Sequence, residues 1–390
     1  MGIFRPIIYN TIILIIAFFM VSNPAQTIGA AKDAFMLWAL TILPALFPFF
    51  IVAELLISLG LVRFLGILLE PIMRPVFGLP GCSSLVVAMG FTSGFPVGAV
   101  MSKRLYDEGM LTGEEMERLV SFTNNSSPLF IIGAVGIGMF GSPTIGYLLA
   151  VSHYLANLLV GLCWGFRSGK TKSDYLKGHI LHKAVLSLAE TGSRIKGGIG
   201  SLLGKAIKSS VSNILAIAGF IVFFSILTRM LSVWGIMDIF ARAFMHLLPV
   251  ISLPYQIAYG MSMGIFEITI GLNTLVATDG HLLAKLLVAS IVMAFSGFSI
   301  IAQILSIVAG TPVRLSFYLQ SRLLQIVFSS IITYLGYSFV IVPRGVSCLA
   351  VDLPYYKILY AFDAWSYSLL CLAVGLGIIG LLVVVRIRKT

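Results

Sequence analysis

The feature that most limits how this chain can fold is a series of long apolar runs. A helix that spans the hydrocarbon core of a bilayer needs about 20 mainly apolar residues. Uninterrupted candidate spans lie at residues 7–21, 34–59, 145–166, 211–227, 323–342 and 364–385. Hydrophobic residues make up 58% of the chain and charged residues only 11%, which is too little charge for a water-exposed surface. We therefore predict an all-α polytopic membrane protein.

Four further apolar runs are interrupted by polar residues, Gly or Pro. Residues 119–140 contain the break SFTNNSSP (121–128), and residues 282–308 contain the break SGFS (296–299). We predict that these two runs are broken crossings. The runs 82–101 and 253–277 are predicted to be helical hairpins that enter the membrane and return. The complete prediction is eight crossings and two re-entrant hairpins.

The distribution of basic residues predicts the orientation of these crossings. With the amino terminus inside, all but six of the 26 Lys and Arg residues fall on the inner side, in agreement with the positive-inside rule. The six exceptions are Lys32, Arg229, Arg242, Lys285, Arg344 and Lys357. We expect both termini in the cytoplasm. The first helix is expected to be retained, because the SNPAQ that follows it lacks an A-x-A-like cleavage site.

Three sequence features recur with a nearly constant offset and predict an internal repeat. LLISLGLVRFLG matches ILTRMLSVWGIMDIF, GFTSGFPVG matches GIFEITIG, and SFTNNSS matches AFSGFSI. Because an odd number of crossings separates the copies, the second is expected to be inverted, as in many secondary transporters. The predicted units are an N-terminal helix (1–32), a first repeat (33–166), a basic cytoplasmic loop with an amphipathic helix (167–210), an inverted second repeat (211–342), and a C-terminal helix with a basic tail (343–390).

The breaks are the candidate substrate site, because irregular backbone at membrane depth occurs only where it is buried in protein or lines a watery cavity. Ser127 before Pro128 has the chemistry of a helix start. Free N–H groups at such a start favour an anion, especially a carboxylate. The alternative is a proline kink whose polar residues bond the neighbouring backbone. The candidate substrate-binding residues are Thr92, Ser93, Gly94, Asn124, Asn125, Ser126, Ser127, Ser296, Gly297 and Gln303.

Other polar residues in or near the apolar runs could have either a functional or a purely structural role. Glu267 is the candidate for ion coupling, with H⁺ or Na⁺ as the ion; the alternative is a carboxylate that caps the hairpin turn. His153 is interpreted as a buried neutral histidine bonded to a neighbouring helix rather than as a proton relay. Thr112 and Glu115 are predicted to form a capping box, and the acidic run around them is interpreted as a solvated helix start.

Several classes of protein are not supported. The chain contains no GxSxG, HExxH or GxxxxGK[ST] motif, so we expect neither an enzyme nor an ATP-driven pump, and no cofactor or metal. The net charge of +11 is attributed to cytoplasmic loops rather than to a nucleic-acid surface. The expected partners are the lipid bilayer, a small anionic solute and a coupling ion, with no nucleic acid.

Three motifs carry a family resemblance. SGFPVGA, then LYDEGMLTGEEMERLVSFTNNSSPLFIIGAVG, and SGFSIIAQ in the second half resemble the YlbJ-type sporulation integral membrane proteins. These belong to the nucleoside-recognition, or Gate, domain superfamily, which is akin to the concentrative nucleoside transporters. The resemblance implies inverted repeats with broken helices and re-entrant hairpins, and a homo-oligomer. It also implies a place in the mother-cell membrane around the forespore, with dipicolinic acid as a cargo moved out of the mother cell.

The first-half breaks lack the carboxylate that nucleoside transporters use, which argues against a nucleoside. Two alternatives stay open beside a dipicolinate carrier. One is a carrier of nucleosides or other small solutes, and the other is a membrane scaffold for spore-envelope assembly that transports nothing.

Overall fold

The structure is a computed structural model that describes residues 4–167, 183–187, 198–247 and 253–343. Within these residues the secondary structure is helical and no strand occurs, which confirms the all-α prediction. The predicted span 364–385 and most of the basic loop lie outside the described residues.

The first half of the chain forms eight α-helices and one long π-helix. The helices are α1 (Phe4–Ser22), α2 (Pro24–Leu37), α3 (Leu43–Ser58), α4 (Leu61–Phe77), α5 (Ser83–Ser93), α6 (Val97–Asp107), α7 (Gly113–Thr123), the π-helix Leu129–Met139 and α8 (Pro143–Arg167). A π-helical turn, Trp38–Ile42, joins α2 to α3.

The second half repeats the same order of elements. Its helices are α9 (Gly198–Val233), α10 (Ile236–Leu247), α11 (Tyr255–Phe266), α12 (Ile268–Ala277), α13 (Leu282–Phe295), α14 (Gly297–Ile307) and α15 (Leu315–Gly336), with a final π-helical turn, Tyr337–Ile341. Gly60 between α3 and α4 has φ 83°, and Gly235 between α9 and α10 has φ 72°. Both turns therefore use the left-handed conformation that glycine adopts without strain.

Within the described residues, fewer full crossings occur than the seven predicted there. Four helices in the described residues are long and apolar enough to cross a membrane, or up to six if each bent pair is one span. The two bent pairs are α1 with α2, at 102°, and α3 with α4, at 81°. The predicted span 34–59 ends directly before the Gly60 turn, but its first residues belong to α2 and to the π-helical turn before α3. The eight predicted crossings include the undescribed run 364–385 and the run 119–140, which the structure divides into two short helices.

The two predicted hairpins are present. In the second, α11 packs along α12 with the chain reversed, so that Gly260 lies against Leu275 and Gly264 against Gly271. In the first, α5 and α6 pack against each other and against α7, and Gly94 between them has φ 91°. Neither hairpin crosses the membrane as one long helix.

The two halves pack reciprocally. α3 lies against α9 and α8 against α15, which are pairs of equivalent elements. In addition, α7 contacts α15 as α13 contacts α8, and α6 contacts α14 as α12 contacts the π-helix. The halves thus contact each other through matching pairs of elements. The inversion of the second repeat relative to the membrane stays a prediction.

The sequence predicts that the acidic run at α7 is a solvated helix start, but two of its glutamates are buried. The capping box is present, because the N–H of Glu115 donates to Thr112 Oγ1 and the Thr112 N–H donates to Glu115. However, Glu115 is 8% and Glu117 6% exposed. Arg74 Nη1 lies 2.7 Å from Glu115 Oε1, and Arg314 Nη2 lies 2.6 Å from Glu117 Oε2. The run therefore connects α7 to α4 and to the start of α15.

One predicted unit boundary falls inside a helix. Residue 210 was the expected end of the basic loop, but α9 runs without interruption from Gly198 to Val233. Lys205 and Lys208 belong to the same helix as the apolar span that follows them. The described end of the basic loop is therefore an extension of a membrane helix.

Candidate functional site

The first break in the membrane helices is residues 124–127, between α7 and the π-helix. The backbone of Asn124 is extended, with φ −91° and ψ 102°, so α7 ends there. Asn124 and Asn125 have no exposed surface, and Ser126 is 3% exposed. A polar segment is therefore buried between α7 and the apolar π-helix, inside the run 119–140, as the sequence predicts.

Both helix ends at this break have hydrogen-bond partners. At the end of α7, Asn124 Nδ2 donates to the Val120 carbonyl at 2.8 Å. At the start of the π-helix, the Phe130 N–H donates to Ser127 Oγ at 3.2 Å. Ser127 therefore caps the π-helix, which is the role that its position before Pro128 predicts.

Helix α8 contacts the break through three polar side chains. The Ser126 N–H donates to His153 Nε2 at 3.2 Å, and the Tyr154 hydroxyl donates to the Ser126 carbonyl at 2.8 Å. Asn157 Nδ2 donates to Asn125 Oδ1. His153 thus bonds the backbone of a neighbouring element, as expected for a buried neutral histidine.

Helix α15 contacts the same break from the other half of the chain. Arg322, whose side chain has no exposed surface, donates from Nη1 to the Asn124 carbonyl at 3.3 Å and from Nη2 to the Ser121 carbonyl. It also donates to Asn157 Oδ1 at 3.2 Å. One turn further along α15, Gln325 Nε2 lies 3.4 Å from His153 Nδ1. The break therefore lies where α8 and α15 meet.

The first hairpin tip joins this group. A Cβ on Gly94 would lie 2.9 Å from the Ser127 Cβ, so the tip and the break are in direct contact. The Ala99 N–H of α6 donates to Asn124 Oδ1 at 2.9 Å. Ser93 is 2% exposed, whereas Thr92 Oγ1 bonds the Ala88 carbonyl of its own helix. The first-half candidates are thus brought together.

The second half has an equivalent pair of breaks. Ser296 between α13 and α14 has φ 75° and Gly297 has φ 68°, and Gly297 lies against the Phe266 carbonyl at the second hairpin tip. Gln303 Nε2 lies 3.4 Å from Ser299 Oγ one turn earlier in α14. No hydrogen bond among the described residues joins these side chains to the first break. The predicted site residues therefore form two groups.

Glu267 stands between α11 and α12 and is 8% exposed. Its Oε2 accepts a hydrogen bond from the Ile270 N–H at 2.7 Å, so the carboxylate caps α12. It also lines a cavity of about 560 Å³ together with Thr269 and Asn273 of α12, Asp33 of α2 and Arg229 of α9. The capping alternative is thus a structural fact, and the same residue also lines this cavity.

Sequence reasoning missed Arg322, Asn157 and Gln325. For Arg322 and Gln325 the signal was a polar stripe with helical spacing inside an apolar helix. The buried residues of α15 are Tyr318, Ser321, Arg322, Gln325, Ser329 and Thr333. The opposite face exposes Leu323, Val327 and Ile331. An apolar outer face with a polar inner stripe is typical of a membrane helix that lines a functional interior.

Comparison with known proteins gives two relatives and one family model. The sporulation integral membrane protein YlbJ of Bacillus subtilis is 40% identical over 346 residues, which cover 84% of this chain and 82% of that protein. An uncharacterized protein of Alkalihalophilus pseudofirmus is 32% identical over 125 residues, or 31% of this chain and 26% of that protein. The model described as nucleoside recognition, Gate, matches residues 39–150, which include both first-half breaks. No solved structure matches the chain.

Proposed function

Because this chain belongs to the family of the sporulation integral membrane protein YlbJ, we propose that it is a secondary transporter of a small anionic solute in a sporulation membrane. The family resemblance stated from the motifs is thereby confirmed. Transport, the identity of the cargo and its direction are the parts of this proposal that go beyond membership of the family.

The observation that carries the proposal is the polar break 124–127, buried where one helix from each half meets it. Transporters with internal repeats bind their substrates at such discontinuous helices, near the interface of the repeats. Within the described residues, the hydroxyls of Ser93, Ser126 and Ser296 have no hydrogen-bond partner in the protein. Buried polar groups normally have partners, so unpartnered hydroxyls at three breaks are suited to bind a solute.

The proposed cargo is dipicolinic acid, moved out of the mother cell during endospore formation. This small, flat molecule carries two carboxylates, and carboxylates suit the N–H groups at the start of the π-helix and of α14. The first break supplies amide and hydroxyl groups but no acidic side chain, which favours an anion over a nucleoside. The substrate-binding residues proposed are those predicted from the sequence at the two groups of breaks.

Glu267 is proposed to couple transport to H⁺ or Na⁺. Its carboxylate lines the cavity between α2, α9 and the second hairpin, and a buried carboxylate in a membrane protein is commonly functional. The proposed architecture around it is a pair of inverted repeats with both termini in the cytoplasm. The reciprocal packing of the two halves supports this arrangement.

Uptake into proteoliposomes tests the proposal. Purified protein should take up dipicolinate when a pH or Na⁺ gradient is imposed, and Asn124→Ala and Asn125→Ala should reduce uptake strongly. Asn10→Ala is a matched control, because Asn10 lies exposed on α1, far along the chain from the break. It should leave uptake unchanged.

Other outcomes identify the alternatives. If dipicolinate does not move while a control transporter works in the same vesicles, a nucleoside panel is tested next. If no solute moves, and a spore-former that carries Asn124→Ala still sporulates normally, the chain is a scaffold rather than a carrier.

A further inference from the structure

Arg322 is a buried cation without a counter-charge. Its side chain has no exposed surface, and no carboxylate of the described residues lies within 4.0 Å of it. Its hydrogen bonds go to the Ser121 and Asn124 carbonyls and to Asn157 Oδ1, and its carbon Cζ lies 5.0 Å from the centre of the Tyr318 ring. All of these partners are neutral.

A guanidinium in this position is costly. Removing an ion from water costs several kcal/mol, and proteins usually offset that cost with an oppositely charged partner. Neutral carbonyl and amide oxygens supply only partial compensation, and Arg322 Nε has no partner among the described residues. A bound anion would complete the compensation, because charge-assisted bonds from a guanidinium to a carboxylate are among the strongest in proteins.

The fold does not require an arginine here. Arg322 is the eighth residue of α15, and the eighth residue of the equivalent helix α8 is Ala150. The second break forms with Ser296 and Gly297 in the left-handed conformation and with no arginine from α8. Among the described residues, the first of the two breaks is the one that contacts a cation, so a break can close without an arginine.

A cavity lies close to this cation, beside the start of α15. A cavity of about 430 Å³, here called the vestibule, is lined by Arg118, Trp164, Arg314 and Phe317, with Glu114, Glu117, Ser316 and Gln320. Trp164 Nε1 donates to Ser321 Oγ at 3.0 Å, and Ser321 precedes Arg322 in α15. Arg118 stands one helical turn, about 5 Å, before Ser121, whose carbonyl Arg322 contacts.

The vestibule has features that suit a flat anion. The Trp164 and Phe317 rings lie 4.6 Å apart, centre to centre, and offer aromatic faces for stacking. Arg314 is paired with Glu117, whereas Arg118 Nε has no partner among the described residues. The two arginines and two glutamates of the lining balance in charge, so the aromatic pair and the unpaired Arg118 Nε are the features that suit a flat carboxylate.

We propose that Arg322 is the anion-binding residue of this protein, and that small planar carboxylates reach it from the vestibule past Trp164. The inference rests on the proposed transport function and deepens it by naming the charge that selects the cargo. In the conformation described here, the Trp164 to Ser321 hydrogen bond separates the vestibule from Arg322.

Binding and transport measured side by side test this proposal. The full-length protein in detergent is titrated by calorimetry with pyridine-2,6-dicarboxylate and with its neutral analogue, pyridine-2,6-dicarboxamide, and the same ligands are used for uptake into proteoliposomes. The variants are Arg322→Gln and Arg322→Lys. Lys285→Gln is the matched control, because Lys285 is also a buried cation bonded to a carbonyl, that of Val276, but belongs to α13.

We expect the wild type and Lys285→Gln to prefer the dicarboxylate by about tenfold or more, as a charge-assisted pair supplies. Arg322→Gln should lose that preference. Arg322→Lys keeps the positive charge and serves as the control for a variant that fails to fold. It should keep the preference for the dicarboxylate but bind it more weakly, because an ammonium cannot contact several acceptors in the same plane.

The two proposals fail in different ways. In the first case the wild type takes up the dicarboxylate, and a folded Arg322→Gln variant keeps the same preference or Arg322→Lys keeps the same affinity. That result overturns the role of Arg322 and leaves transport standing. Dicarboxylate binding that Arg322→Gln abolishes, without any uptake by the wild type, supports Arg322 and overturns transport. A wild type that binds no carboxylate overturns the role of Arg322.

Discussion

His153 and Gln325 face each other across the interface between the two halves, with 3.4 Å between Nδ1 and Nε2. They lie 172 residues apart in the chain, and each is the eleventh residue of its helix, α8 or α15. Two side chains at the same position of their helices therefore contact one another where the halves meet. The first break, which also contacts both helices, lies beside this contact.

The predicted inversion of the second repeat can be tested by membrane topology. If the second repeat is inverted, the turn between α6 and α7 and the turn between α12 and α13 lie on opposite sides of the membrane. In a background without the native cysteines, Glu108→Cys should react with a membrane-impermeant maleimide only from the cytoplasmic side. Asp279→Cys, equally exposed, should react only from the other side. Reaction of both from one side would contradict the inverted repeat.

The second hairpin depends on glycine at its closest approach. A Cβ on Gly271 would overlap the Gly264 backbone, so Gly271→Ala should separate α11 from α12 and destabilise the protein by about 1–3 kcal/mol. Gly219→Ala is the control, because no atom lies within 4 Å of a Cβ at that position of α9. Thermal unfolding in detergent measures both variants. Equal midpoints would show that the hairpin is not packed as described.

Glu117 is expected to stabilise the junction of α7 with α15. Its carboxylate accepts bonds from the Arg314 N–H at 2.8 Å, from Nε at 2.9 Å and from Nη2 at 2.6 Å, and the bonded carboxylate raises the pKa of Arg314. Glu117→Ala leaves a backbone donor without its partner, which costs about 1–3 kcal/mol.

Glu114→Ala, an exposed change on the same turn, should have little effect on the unfolding midpoint. A Glu117→Ala variant as stable as Glu114→Ala would mean that water replaces the carboxylate without loss.

Two substitutions of Glu267 can distinguish its role in capping α12 from its proposed role in ion coupling. Glu267→Gln keeps a side-chain oxygen that can accept the Ile270 N–H, so stability should stay near that of the wild type. Glu267→Ala removes the cap and should cost about 0.5–2 kcal/mol. Uptake by Glu267→Gln should no longer respond to an imposed pH or Na⁺ gradient. A full response to the gradient in this variant would exclude Glu267 as the coupling residue.

Much of the local structure could be predicted, because it depends on neighbours in the chain. The apolar runs gave the helices, and the NNSSP and SGFP segments gave the breaks. Thr112 with Glu115 gave the capping box, and Ser127 gave the cap of the π-helix. Each of these features is decided by residues within about one helical turn of each other, so the sequence pattern contains the whole interaction.

Arg322 shows where that reasoning stops. An apolar count excludes an arginine from a span, so the predicted span began at residue 323 and Arg322 was assigned to the inner side. In the structure α15 begins at Leu315, and Arg322 is buried in it. The charge is tolerated because Ser121, Asn124 and Asn157, from distant parts of the chain, supply acceptors.

The sequence by itself determined that this is an all-α membrane protein, and it determined where its helices break. Local hydrogen bonding and hydrophobicity decide those features. Only the tertiary structure decided that the first break, α8 and α15 share one polar interior, and that Glu267 lines a separate cavity. The contacts of α15 with the first break and with α8 join residues more than 150 positions apart, which no pattern along the chain records.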